Sequence, residues 1–293
     1  MTLRRLALFS LPLAFALTGL AASAQAPTDD WGRCLGDDAQ AAITACTTLL
    51  QGGQLSDTER SRALGGRAIA YHERRDYPHA IADYEEALRL NARADWAHVG
   101  LGLSLRDSGN AQRAVGEFDT ALSRAENELG NAGPQSPEYA RRASYVGMIL
   151  LERGHTYAAL HNDERAIADY REGRQRAPHD PDLGNSLCWA LATRDESLDE
   201  ARRACDQSLR DRPDHAPTLD SRGLVGLRQH RFQEAWNDYD AATRQGEGPS
   251  WLFGRGIAAL RLGRTAEGQA DIARAEAMAA EVRQFYADFG IRP

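Results

Sequence analysis

The sequence predicts an all-α fold made of repeated helix pairs, and three observations predict it. Alanine is the commonest residue at 50 of 293, while valine (5) and isoleucine (8) are too scarce to fill a buried sheet. A frame of small and aromatic residues recurs about every 34 positions. Glycine- and asparagine-containing turn signals fall between the predicted helices, at Gly109-Asn110, His161-Asn162-Asp163 and Leu262-Gly263-Arg264.

Residues 1–24 read as an export signal. Arg4 and Arg5 precede an apolar stretch from Leu6 to Leu20, and Ala22-Ser23-Ala24 supplies the small-x-small cleavage pattern, so Gln25 is expected to start the mature chain. The stretch is shorter than the ~20 residues that cross a bilayer. Without residues 1–24, which hold two arginines and no acid, the net charge moves from -7 to -9. This acidic balance argues against nucleic acid as a partner. No membrane span is expected after cleavage.

The repeat begins with Ala68, Ala80, Tyr84 and Ala87, and the second unit repeats it at Gly102, Ala114, Phe118 and Ala121. It returns at Gly154, Ala166 and Tyr170; at Cys188, Ala201 and Cys205; at Gly223, Ala235 and Tyr239; and at Gly256, Gly268 and Ile272. The paired small residues let two antiparallel helices cross at ~8 to 10 Å. The aromatic lies on the same helical face as the preceding alanine and fills the gap toward the next pair. Ser56 with Glu59 suggests a capping box, and Ser136-Pro137 and Asp180-Pro181 each suggest an N-cap followed by proline at the first helical position. Between the second and third units the spacing grows to 52, an insertion of 18 residues that includes a polar loop at 131–137.

This period, with its small residues, its aromatic and Pro178 at a unit end, resembles the tetratricopeptide repeat family. The resemblance implies a right-handed α-solenoid of about six helix-turn-helix repeats, with an amino-terminal half repeat and a carboxy-terminal capping helix. The layout is then signal 1–24, half repeat and linker 25–60, repeats one and two at 61–128, insertion 129–146, repeats three to six at 147–282, and cap 283–293. It further implies a concave groove lined by the first helix of each pair. Mapped residue by residue, the groove candidates are Ile69, His72, Val99, Leu103, Arg106, His155, Asn185, Trp189, Leu224, Phe253, Ile257 and Arg261. Family members that clamp a terminal carboxylate use asparagine and lysine at such positions. This chain has no lysine, so the apolar and aromatic candidates point instead to an amphipathic helix or an extended peptide with apolar anchors.

Four cysteines in an exported chain allow three disulfide connectivities. The repeat frame sets Cys188 at the crossing point of one helix and Cys205 at the aromatic position of its partner, and Cys34 and Cys46 fit a similar relation. The expected bonds are Cys34–Cys46 and Cys188–Cys205. No Cys-x-x-Cys is present and no histidine falls at ligand spacing, so no metal or other cofactor is expected.

The absence of lysine excludes Schiff-base chemistry and a phosphate loop of the Walker type. Neither Gly-x-Ser-x-Gly nor His-Glu-x-x-His occurs. The reading is a non-enzymatic scaffold or adaptor of the periplasm or extracellular space, binding an unidentified protein or peptide. The alternative is an envelope-associated subunit that binds peptidoglycan or an outer-membrane assembly.

Overall fold

The computed structural model describes residues 28–293, so the expected signal at 1–24 lies outside the described residues. Every element among these residues is helical, and the chain divides into two compact units, residues up to 124 and residues from 125 onward.

In the first unit α1 (Thr28–Cys34) and α2 (Ala39–Gln51) form the half repeat. The repeats proper start with α3 (Asp57–Glu73) and α4 (Tyr77–Leu90), followed by α5 (Asp95–Asp107) and α6 (Ala111–Gly130). Ser56 caps α3 as the sequence suggests: its hydroxyl accepts from Glu59 N while the Glu59 carboxylate accepts from Ser56 N at 2.9 Å. Within this half repeat α1 packs against Gly66 of α3, where a Cβ would come within 2.9 Å of the Cys34 carbonyl oxygen.

The second unit begins within α6 and continues through four pairs. These are α7 (Pro137–Ala159) with α8 (Asp163–Arg176), α9 (Pro181–Arg194) with α10 (Leu198–Asp211), α11 (Ala216–Arg228) with α12 (Phe232–Thr243), and α13 (Pro249–Arg261) with α14 (Thr265–Met278). A last short helix, α15, covers Val282–Asp288. The insertion is absorbed by longer helices, α6 with 20 residues and α7 with 23, so that only 131–136 remain as a loop. Ser136 and Asp180 cap α7 and α9 from the residue before each proline.

The small-residue frame has a direct physical role. A Cβ at Gly102 would meet the Phe118 ring at 2.9 Å, one at Gly154 the Tyr170 ring at 2.5 Å, and one at Gly223 the Tyr239 ring at 2.8 Å. Each aromatic therefore lies against the bare backbone of its partner helix, 16 residues earlier. In the last pair, where Gly268 replaces alanine, the backbones themselves approach. A Cβ on either Gly256 or Gly268 would meet the other's carbonyl oxygen, at 2.8 and 2.7 Å.

The fourth repeat replaces this contact with a covalent bond. Cys188 and Cys205 occupy the glycine and aromatic positions and form a disulfide, with Cα atoms 5.5 Å apart. Cys188 and Cys205 stand 17 residues apart, one more than the Gly–aromatic pairs, and the α9–α10 turn takes up the extra residue, with Asp195 and Ser197 both left-handed. Cys34 and Cys46 join α1 to α2. Replacing both Cys188 and Cys205 by serine is expected to cost about 3 kcal/mol, the loop-closure value for a bridge of this span. Denaturant unfolding of the oxidised chain against the double variant measures this, and equal midpoints would show that packing alone holds the fourth pair.

Candidate functional site

In the second unit the first helices of successive pairs touch one another: α7 meets α9, α9 meets α11 and α11 meets α13. The second helices α8, α10, α12 and α14 make no such mutual approach. The layer therefore curves with the first helices on its inner face, the side expected to form the groove.

The structure divides the twelve groove candidates. His72, Val99, Leu103, Leu224, Phe253 and Ile257 are buried. Close approach of successive first helices encloses His72, Val99, Leu103, Leu224 and Ile257, so their side chains pack the stack, whereas Phe253 is covered by Tyr286 of α15. Ile69, Arg106, His155, Asn185 and Trp189 are half-buried and Arg261 is exposed. Several polar candidates tie neighbouring first helices together. His72 Nδ1 lies 3.0 Å from Ser104 Oγ, His155 Nε2 lies 3.0 Å from Ser186 Oγ, and Ser221 donates to Asn185 Oδ1 at 2.8 Å.

In the first unit, Asp107, His72 and Ser104 form a chain that superficially resembles a hydrolytic triad, with His72 Nε2 3.3 Å from Asp107 Oδ2. Burial alone would raise the Asp107 pKa, but hydrogen bonds from His72 and Arg106 outweigh it and hold it at about 2. Ser104 is 0% exposed and donates to the Gly100 carbonyl at 2.9 Å, so its hydroxyl joins helices and meets no substrate. Among the described residues, no group of three or more His, Cys, Asp or Glu side chains is placed to hold a metal ion.

Three of the candidates do converge on one feature, the carboxy-terminal segment. The expected capping helix, α15, meets both α13 and α14 of the last pair, and its rings also reach back over the inner face of earlier pairs. The Phe285 ring stacks on Trp189 of α9 with centroids 6.0 Å apart, and Phe289 meets the same indole edge-on at 5.8 Å. Tyr286 packs on Phe253 of α13 and donates its hydroxyl to the Ser250 carbonyl at 2.8 Å. The Arg261 guanidinium donates to the Arg292 carbonyl at 3.1 Å.

Two structural elements have no counterpart among the sequence candidates. Arg228 of α11, its side chain only 10% exposed, donates to the Ala192, Thr193 and Phe289 carbonyls at 2.6, 3.0 and 2.7 Å, linking α9, α11 and the tail. The other is a series of arginine–aspartate forks across helix pairs: Arg67–Asp83, Arg153–Asp169, Arg222–Asp238 and Arg255–Asp271. Each spans 16 residues, and both aspartate oxygens are engaged by Nε and an Nη of the guanidinium. The constant spacing was a readable signal. In the second repeat, Glu117 pairs instead with His98 at 2.8 Å, and in the fourth the disulfide takes over.

Among the described residues, no helix is long and apolar enough to cross a membrane. The tetratricopeptide repeat family model matches residues 66–137 and 222–284. No curated protein matches the chain in sequence. Among solved structures, the chain is similar to a tetratricopeptide repeat protein from Parabacteroides merdae, at 14% identity and a TM-score of 0.59, over 87% of this chain and 93% of that one. It is also similar to pilF of Pseudomonas aeruginosa, at 15% identity and a TM-score of 0.60, covering 80% and 97% respectively. The Cut9–Hcn1 hetero-tetramer of APC/C gives 12% identity and a TM-score of 0.63, over 85% of this chain but 45% of that one. At these identities the similarity concerns the fold, and it agrees with the helix pairs, the crossing glycines and the repeat period. Residues 66–137 and 222–284 are tetratricopeptide repeats, and the helix pairs of the described chain share the fold of tetratricopeptide repeat proteins.

Proposed function

We propose that the chain is an exported, non-catalytic scaffold that holds a peptide or helix of a partner protein on the inner face of its second unit. The fold supports a protein–protein interaction role in general. The observation that carries the finer reading is the face formed by Trp189, Phe253, Arg228 and Arg261, which here receives an aromatic helical segment. Large rigid rings next to guanidinium groups form the kind of surface on which binding energy concentrates. Two buried disulfides suit an oxidising compartment, in keeping with the apolar amino terminus.

Two measurements test this. Amino-terminal sequencing of the protein from a periplasmic fraction is expected to begin at Gln25; an intact amino terminus in the cytoplasm removes the export half of the reading. In the second, the oxidised chain is cross-linked in periplasmic extract and compared with Trp189→Ala and with Glu164→Ala, an exposed position on α8. A partner is expected to be lost at least tenfold with Trp189→Ala and retained with Glu164→Ala. Equal capture by all three chains would place binding elsewhere.

A further inference from the structure

A helix that merely finished the stack would need to cover only α13 and α14. The segment after α14 goes further. Phe285 and Phe289 reach Trp189 on α9, two pairs back, and the Phe289 carbonyl binds Arg228 on α11. Its anchoring is uneven. Val282 and Tyr286 are buried, whereas Phe285 is 37% exposed, among the few large apolar side chains of the described residues left so open. Seven residues are too few for a helix to be stable on its own, so α15 holds its shape only through the surface beneath it.

The recognition is also of a transferable kind. Arg228 and Arg261 contact the segment through the main-chain carbonyls of Phe289 and Arg292, groups that any peptide offers. Sequence enters through the rings: Phe285 and Phe289, four residues apart on one helical face, together clasp the Trp189 indole in stacked and edge-on contact. The face therefore reads a helical turn carrying aromatics at i and i+4, followed by chain with accessible carbonyls.

Building on the proposed scaffold role, we infer that residues 282–293 are a built-in pseudo-ligand. They occupy the inner face of the second unit until a partner segment with the same chemistry, an aromatic pair spaced i, i+4 on a short helix with open carbonyls beyond, displaces them. Partner affinity is then set by competition with the chain's own tail, because a face that is only fractionally open binds more weakly by that fraction.

The test uses the whole oxidised chain and, as probe, a fluorescein-labelled synthetic peptide of residues 279–293 added in trans. The unaltered chain is expected to bind it weakly. Phe285→Ala/Phe289→Ala, which loosens the internal copy, is expected to bind at least tenfold more tightly, and adding Trp189→Ala to that variant is expected to return binding to background. A peptide lacking both phenylalanines is expected not to bind. Should the double variant fail to fold, Phe285→Ala alone, at an exposed side chain, carries the comparison. Hydrogen exchange supplies a readout that needs no partner: amides of 285–291 are expected to exchange at least 100-fold faster than those of 252–259 in α13. Exchange as slow as in α13, or equal peptide affinity for the loosened and unaltered chains, overturns the inference. Because exchange reads the tail without a partner, and capture with Trp189→Ala reads the scaffold role without the tail variants, either reading can fail while the other stands.

Discussion

Asp238→Ala is expected to destabilise the folded chain by about 3–5 kcal/mol, the usual cost of stripping one partner from a buried ion pair. Asp238 is 8% exposed and receives Arg222 Nε at 2.9 Å and a second guanidinium nitrogen at 2.7 Å. The third nitrogen of Arg222 donates to Asp206 of α10 at 2.9 Å, so one guanidinium joins α11 to its own partner α12 and to the pair before it. Arg255 does the same, with Asp271 on one side and Asp240 and Thr243 on the other. Lysine could not replace either arginine, because an ammonium has no planar fork to share among acceptors on two helices. Removing the aspartate leaves a guanidinium three-quarters buried and half-partnered, which is why the expected cost exceeds that of a surface ion pair. In a stack stabilised by nearest-neighbour interfaces, the loss is expected to appear as a lower denaturant midpoint together with a shallower transition, as α10 uncouples from α11. The double variant Arg222→Met/Asp238→Leu is expected to recover most of the loss, since it leaves no uncompensated charge. A cost below about 1 kcal/mol for Asp238→Ala would mean that the fork is no better than a solvated pair.

The forks mark the boundary between what was legible in the sequence and what was not. Glycine and aromatic positions announce themselves by residue type, so the helix pairs and their caps could be placed from spacing alone. Arg67, Arg153, Arg222 and Arg255 carry an equally regular interval to their aspartates, yet charged residues on helices suggest a solvated face, and that default hid the burial of Asp83, Asp169, Asp238 and Asp271. The groove positions show the converse ambiguity. Val99, Leu103, Leu224 and Ile257 fall at positions that line grooves in the family, but contact between successive first helices closes over them. The path of α15 is a single event, so no periodicity could reveal that Phe285 and Phe289 turn back to Trp189. What the sequence did carry was the pair of aromatics four apart, read there only as a cap.

Asp220→Asn is expected to stabilise the chain at pH 8 by up to about 4 kcal/mol and to change little at pH 4, the span given by roughly three pH units at about 1.4 kcal/mol each. Asp220 lies on α11 at the inner face. Its Oδ1 is screened from solvent and accepts no hydrogen bond, while Oδ2 receives a long one from Ser250, at 3.4 Å. Burial pushes its carboxyl up to about 7, against the smaller lowering effects of Ser250 and Trp251. Tyr239 and Tyr286, their hydroxyls 3.3 Å apart, interact electrostatically with the same carboxyl, and burial drives both phenols well above their ordinary range, so both stay neutral and supply no counter-charge. The sign follows from proton counting. Between pH 4 and 7 the unfolded chain has already released this proton while the folded chain still holds it, so stability falls as pH rises through that window and levels off above it. Asparagine cannot ionise, and its profile across the window should stay flat where the unaltered chain declines. Because Tyr286 belongs to α15, the ionised carboxylate gains solvation most directly when that helix lifts. Hydrogen exchange at 285–291 is therefore expected to accelerate from pH 6 to 8 beyond its chemical rate in the unaltered chain, and not in Asp220→Asn. Thermal unfolding at pH 5 and pH 8 decides the stability claim: if the two chains lose stability in parallel, Asp220 is ionised in the folded state and its burial does not loosen the tail.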